Sequence, residues 1–171
     1  MQTYIHTCIH TISGERWLEG DKEYCAIITL DVKNAFNSAD WDATLAALDS
    51  KDVPNYLLEL IRDYFKDRVL IYDTDDGRKS YAVSAGVPQG SVLGPILWNT
   101  MYDGVLRLKL PRGAHIIGFA DDIALVIRRK HLDELVRTCN TAVGVLRSWI
   151  LGMGLRLADH KTDGKIWNLL P

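Results

Sequence analysis

Two adjacent carboxylates, Asp121 and Asp122, stand between Ile116-Ile117-Gly118-Phe119-Ala120 and Ile123-Ala124-Leu125-Val126-Ile127. Each apolar flank is short, β-branched and of strand length, so the stretch predicts a β-hairpin with acid at its tip. Like charges about 4 Å apart repel by roughly 4 kcal/mol at an effective dielectric of 20. A cation, often a metal ion, offsets that cost. A third carboxylate, Asp31, ends the run Tyr24-Cys25-Ala26-Ile27-Ile28-Thr29-Leu30, a second buried-strand candidate. If these strands are neighbours, three carboxylates converge. Hard oxygen ligands without histidine or cysteine suit Mg²⁺ or Mn²⁺ better than zinc. Two such ions about 3.5–4 Å apart support in-line phosphoryl transfer, activating the attacking oxygen and stabilising the leaving one. The bland meaning of a lone Asp-Asp pair is a hairpin turn, and of Asp31 a turn cap. An acid at the end of a second strand weighs against it.

Residues 2–12 place Ile5, Cys8, Ile9 and Ile12 at helical spacing, ended by Ser13-Gly14. Arg16 to Lys22 is polar loop, ahead of the strand that carries Asp31. Ser38 or Asp40 caps a helix with Trp41, Leu45 and Leu48. Pro54 starts another, with Leu57, Leu58, Ile61 and Phe65 on one face. Arg68 to Asp73 and Lys79 to Ser84 read as strands joined at Asp75-Asp76-Gly77. The loop Gly86-Val87-Pro88-Gln89-Gly90-Ser91 leads into an apolar stretch, Val92 to Leu108, read as a helix despite Gly94-Pro95 in its first turn. After the acidic hairpin, Leu132, Leu135, Val136, Cys139, Val143, Leu146 and Ile150 define a long amphipathic helix. Gly152 and Gly154 end it, Leu155-Arg156-Leu157 reads as a short strand, and His160-Lys161-Thr162 follows. Strands alternating with helices around a central antiparallel hairpin predict an α+β sandwich. Helices would cover one face of the sheet, and the face where the acids meet would be open.

The chain has 171 residues, 47% apolar and 25% charged, an ordinary globular composition for one compact domain. Its net charge of −2 sets it apart from strongly basic proteins that coat nucleic acid. An acidic metal centre inside a basic rim would give the same sum, so a nucleic-acid substrate remains open. The three cysteines, Cys8, Cys25 and Cys139, are widely spaced and include no CxxC pair. They read as free thiols in a reducing, intracellular compartment rather than a disulfide framework or zinc site. The N-terminus is no signal peptide, and no apolar stretch approaches the roughly 20 residues of a membrane span.

Three segments together resemble successive motifs of a reverse transcriptase palm. They are Leu30-Asp31-Val32-Lys33-Asn34-Ala35-Phe36-Asn37, Gly86-Val87-Pro88-Gln89-Gly90-Ser91-Val92-Leu93-Gly94-Pro95, and Phe119-Ala120-Asp121-Asp122. The long helix, Gly154-Leu155 and His160-Lys161-Thr162 are similar to the fourth palm motif. The phrasing resembles non-LTR retrotransposons of animals, particularly insect elements that insert at ribosomal RNA genes. The resemblance spans Tyr24 to Thr162. It implies a polymerase palm, an antiparallel sheet with helices packed on one face (ferredoxin-like), at residues 24–162. Residues 1–23 would be a helix and loop left from the fingers connection, and 163–171 a divergent tail. Counterparts of the fingers, thumb and endonuclease are not found in the chain, so flanking sequence would supply them.

The resemblance also implies roles. Asp31 and Asp121 would ligate two Mg²⁺ or Mn²⁺ ions, Asp122 would be the weaker acid of the pair, and the Val32 carbonyl would complete one shell. Phe36 would pack under the incoming sugar and exclude a 2′-hydroxyl. Gln89 and Gly90 would approach the incoming nucleotide and template, and Lys161 would assist pyrophosphate departure as cation or proton donor. Outside the motifs, Phe36 is simple core, Gly86 to Ser91 an ordinary loop and Lys161 solvated surface. Trp41, Trp98 and Trp149 read as core. Arg62, Lys66, Arg68, Arg78 and Lys79 read as scattered surface charge.

The implied reaction is RNA-directed addition of deoxynucleoside triphosphates to a DNA primer 3′-hydroxyl, in the nucleus and away from membranes. This chain alone is expected to keep the metal site but to polymerise weakly or not at all. The alternatives are a catalytically inactive relic that acts as a binding or interaction module, and another palm-type nucleotidyl enzyme such as a cyclase. Gly86 to Pro95 between the two acidic motifs argues against the cyclase.

Overall fold

A computed structural model describes residues 23–158 and 161–169. The expected N-terminal helix at 2–12 lies outside them. The chain divides into two compact units. One comprises the described residues of Met1–Val32, Val105–Ile150 and Leu157–Pro171, and the other Lys33–Gly104 with Leu151–Arg156.

The first unit is built on four antiparallel strands: β1 (Glu23–Asp31), β4 (Ala114–Phe119), β5 (Asp122–Arg129) and β6 (Asp163–Leu169), in the order β4-β5-β1-β6. The register runs from Tyr24↔Arg129 to Asp31↔Asp122, so β1 and β5 are paired along their whole length. Side chains alternate between faces. Ala26, Leu30, Ile123, Leu125 and Ile127 share one face and are buried. Helix α4 (Leu132–Gly152) buries a single stripe, Leu135, Ala142, Leu146 and Ile150, at the spacing of one helical face.

The opposite face carries Asp31 and Asp122. It is not open throughout, as the alternation suggested. Cys25, Ile27 and Val126 are buried there with Ile117 packed on them, while His115 and Lys165, on the outer strands at the same level, are exposed.

One expectation for the C-terminal part is corrected. Residues 155–157 form no strand, only a single bridge from Leu157 to Val32. Within the segment expected as a divergent tail, β6 extends the sheet, pairing with β1 from Glu23↔Leu169 to Thr29↔Asp163. Its main-chain hydrogen bonds fill the edge that β1 would otherwise leave unpaired.

The second unit holds helices α1 (Trp41–Asp49), α2 (Asn55–Phe65) and α3 (Leu93–Tyr102), with a two-stranded hairpin, β2 (Val69–Thr74) and β3 (Gly77–Ala82). Asp40 caps α1 by accepting a hydrogen bond from the Ala43 N–H at 2.8 Å. Pro54, expected at the first helical position, is the N-cap of α2. The helix expected over Val92 to Leu108 ends at Tyr102, and a 3₁₀ turn, Asp103–Arg107, follows. The indole of Trp98 is fully buried, stacked between Phe36 and Tyr102 with ring centroids 5.3 and 4.7 Å away.

Candidate active site

Strands β4 and β5 join through Ala120-Asp121, and Phe119 pairs with Asp122 across the turn. Ala120 takes a φ of 55°, in the left-handed region. That conformation costs a non-glycine residue roughly 1–2 kcal/mol. The two-residue turn puts Asp121 at the tip and Asp122 at the first position of β5. Because β1 pairs with β5 in register, Asp31 is the direct cross-strand partner of Asp122. Directly opposed side chains lie on the same face with Cβ atoms about 4.5–5.5 Å apart. Asp31, Asp121 and Asp122 thus gather at one end of the sheet, the convergence expected once their strands are neighbours.

The electrostatics record that crowding. Partial burial pushes the Asp122 carboxyl up from its ordinary value, and the charges of Asp121 and Asp31 push it further, against a smaller opposing effect of Lys161. Lys161 answers the excess of negative charge directly. Its Nζ lies 2.7 Å from Asp31 Oδ2, with the lysine side chain 60% exposed and the aspartate 17%. The hydrogen bond to Asp31, and then its charge, hold the Lys161 ammonium above its ordinary value. The backbone supports the placement. The Ala158 N–H donates to the Asp31 carbonyl at 2.9 Å, and the Lys161 N–H donates to the Ala158 carbonyl at 2.8 Å. Val32, next to Asp31, is buried and bridges to Leu157.

The donor chemistry suits a hard divalent cation, since three carboxylates and a main-chain carbonyl at Val32 stand at one strand end. The side chains are not arranged around an ion. Among the described residues no three His, Cys, Asp or Glu side chains are grouped so as to hold a metal. The ammonium of Lys161 is the cation that contacts Asp31.

Phe36, Gln89 and Gly90 belong to the second unit. There the structure brings Phe36 and the glycine-containing loop together. The Val87 N–H donates to the Phe36 carbonyl at 2.8 Å, and the Gly86 N–H to the Ala39 carbonyl at 2.7 Å. Gly86 has a φ of 94°, and a Cβ there would lie 2.8 Å from the Asn37 carbonyl oxygen, so only glycine fits. Gly90 differs. Its φ is 79° and open space surrounds the position of a Cβ, beside an exposed Gln89. Ser91 closes the loop onto α3, donating through Oγ to the Pro88 carbonyl and accepting from the Gly94 N–H, each at 2.9 Å.

Trp41, read as core, also has a positioning contact, because its indole N–H donates to the Gly86 carbonyl at 2.9 Å. No sequence signal marks that bond, which joins residues 45 positions apart. Resemblance to the fourth motif is what singles out Lys161 in the sequence. Its ion pair with Asp31 has no signal in the sequence.

The profile of the family described as reverse transcriptase (RNA-dependent DNA polymerase) matches residues 3–166. A "Probable RNA-directed DNA polymerase from transposon BS" of Drosophila melanogaster is 30% identical over 158 residues, 87% of this chain and 17% of that protein. The "Retrovirus-related Pol polyprotein from type-1 retrotransposable element R2" of Nasonia vitripennis is 37% identical over 113 residues, covering 58% of this chain and 11% of that one. The chain therefore spans less than a fifth of the length of these curated relatives. A telomerase from Candida tropicalis, solved in complex with a TWJ fragment of telomeric RNA, superposes with a TM-score of 0.72 at 12% identity, over 96% of this chain and 29% of that one. That likeness shows the fold alone, and it agrees with the palm-like sheet. Among the described residues no helix is long and apolar enough to cross a membrane. With the family profile covering most of its length and relatives among non-LTR retrotransposon proteins of insects, the chain belongs to the reverse transcriptase family.

Proposed function

We propose that the acid-tipped end of the β4-β5-β1 sheet is the chemical centre for RNA-templated extension of a DNA primer. The observation that carries this reading is the register of β1 and β5, which sets Asp31 opposite Asp122 with Asp121 in the adjoining turn. In the reaction the primer 3′-hydroxyl oxygen attacks the α-phosphorus of a deoxynucleoside triphosphate. One oxygen–phosphorus bond forms and the bond to the bridging oxygen breaks. The hydroxyl proton passes to solvent and pyrophosphate leaves. Asp31, Asp121, Asp122 and the Val32 carbonyl would hold two divalent ions, Mg²⁺ or Mn²⁺. When bound, these ions would acidify the attacking hydroxyl and offset charge on the triphosphate.

The chain's own residues do the rest. Phe36, its ring stacked on Trp98, would pack under the incoming sugar and disfavour a 2′-hydroxyl, as the resemblance implies. Gly90 and Gln89 offer an uncluttered backbone to the nucleotide and template. Lys161 supplies a cation for the leaving pyrophosphate. Flanking sequence would supply further grips on template and duplex, and the family resemblance would place the reaction in the nucleus.

Primer extension on an RNA template, with wild-type chain and Asp121→Ala, tests the reading. Extension that depends on Asp121 and on added Mg²⁺ or Mn²⁺ supports it, and extension unchanged in Asp121→Ala refutes it. A second reading, a binding module without the reaction, draws on the Lys161–Asp31 pair, which neutralises one acid without a metal. Calorimetry showing no ion uptake even with primer–template and nucleotide present would favour it.

A further inference from the structure

We propose that Lys161 is a placeholder cation, which holds Asp31 in the metal-free chain and must swing off that carboxylate before an ion can bind. The inference rests on the metal-centred reading above and goes beyond it by making the lysine and the ion compete for one carboxylate.

Three observations lead there. The Lys161 ammonium contacts Asp31 Oδ2 at 2.7 Å, and so occupies one of the lone-pair sites through which that carboxylate would hold an ion. Asp31 is also opposite Asp122, with Asp121 next in the turn, so the site without any cation would set like charges face to face. Lys161 is anchored through its backbone to Ala158, which is itself bonded to the Asp31 main chain, while its side chain remains mostly in water. The lysine half of the pair lies mostly in water, where holding a long side chain in one geometry adds little, so the ammonium can leave at small cost. A divalent ion brings twice the charge to the same carboxylates. The exchange therefore favours the ion once it is present, and the ammonium is released with its proton and charge intact. One residue thus has two successive positions. It first offsets repulsion in the empty site, and it is then free to meet the negative charge of a triphosphate.

Mn²⁺ binding to the purified chain, followed by loss of the free-ion paramagnetic signal, tests the proposal without reference to polymerisation. Lys161→Met should bind Mn²⁺ about three- to tenfold more tightly than wild type, since an exposed competing pair and its charge are both removed. Amine acetylation at Lys161, read by mass spectrometry, should become several-fold faster in wild type when Mg²⁺ is added. Asp31→Asn separates the two layers of the argument. If Asn at 31 abolishes binding while Lys161→Met leaves affinity unchanged or weaker, the metal site stands and the placeholder role is overturned. If binding in wild type and Lys161→Met alike is absent or indifferent to Asp31→Asn, the metal site itself is refuted and the placeholder role falls with it.

Discussion

Asp31 and Asp122 face each other as direct partners across β1 and β5, two carboxylates in one register position. Like charges so placed destabilise a sheet by about 0.2–1 kcal/mol. Asp122→Asn should therefore stabilise the metal-free chain by about that amount in urea unfolding at neutral pH. It should also abolish or weaken Mn²⁺ binding. A variant that is less stable than wild type without metal would show that the opposed charges are not a net cost.

The same pair gives a pH dependence of defined sign. Burial, then Asp121 and Asp31, raise the Asp122 carboxyl above its value in the unfolded chain. The folded chain then binds the proton more tightly, and this group's effect on stability worsens as pH rises from the ordinary carboxylate range through the raised value. Urea midpoints of wild type and Asp122→Asn should converge near about pH 4 and separate toward neutrality, wild type becoming the less stable. Parallel curves would contradict the assignment.

Two glycines of one loop should respond differently to a methyl group. Gly86→Ala meets both a positive φ and the Asn37 carbonyl oxygen, and should lose about 1–3 kcal/mol of stability. Gly90→Ala meets open space, so its cost should be confined to the backbone strain of about 1–2 kcal/mol. If the nucleotide approaches Gly90, primer extension by Gly90→Ala should fall out of proportion to that loss. Equal effects of both variants on extension, scaled to stability, would remove Gly90 from the substrate path.

Phe36 is half-buried and stacked on Trp98, so Phe36→Val should cost about 1–2 kcal/mol through lost ring contact. Its diagnostic effect lies elsewhere. The ratio of ribonucleotide to deoxynucleotide incorporation should rise about tenfold or more once the ring is removed. A ratio that stays fixed while both rates fall would make Phe36 core and nothing else.

Much of this site is legible in the order of the residues. Asp31 sits at the end of an apolar run and Asp121-Asp122 between two others, and strand-length periodicity alone places all three at strand ends. The loop from Gly86 to Ser91 is likewise recognisable by composition. Partnership is not. Nothing local says that β1 lies beside β5 rather than elsewhere, or in the register that opposes Asp31 to Asp122, because register is set by pairing over many residues. Strand β6 is hidden for a related reason. Asp163-Gly164-Lys165 carries no apolar alternation, and its strand character comes from hydrogen bonds to the β1 edge. The Lys161–Asp31 pair is tertiary in the same sense, spanning a long sequence separation through one contact.

Strand β6 also has a kinetic meaning. The segment carrying Lys161 is fastened to β1 on both sides, by Ala158 to the Asp31 carbonyl and by the Thr29 hydroxyl, which donates to the Asp163 carbonyl at 3.3 Å. A lysine on so short a tether experiences Asp31 at an effective concentration set by the loop, on the order of millimolar or above, rather than by chance encounter. In the proposed exchange, departure of the ammonium would then be a brief local excursion, and its return after an ion leaves would be an intramolecular recapture. Strand β6 is the far post of a short leash.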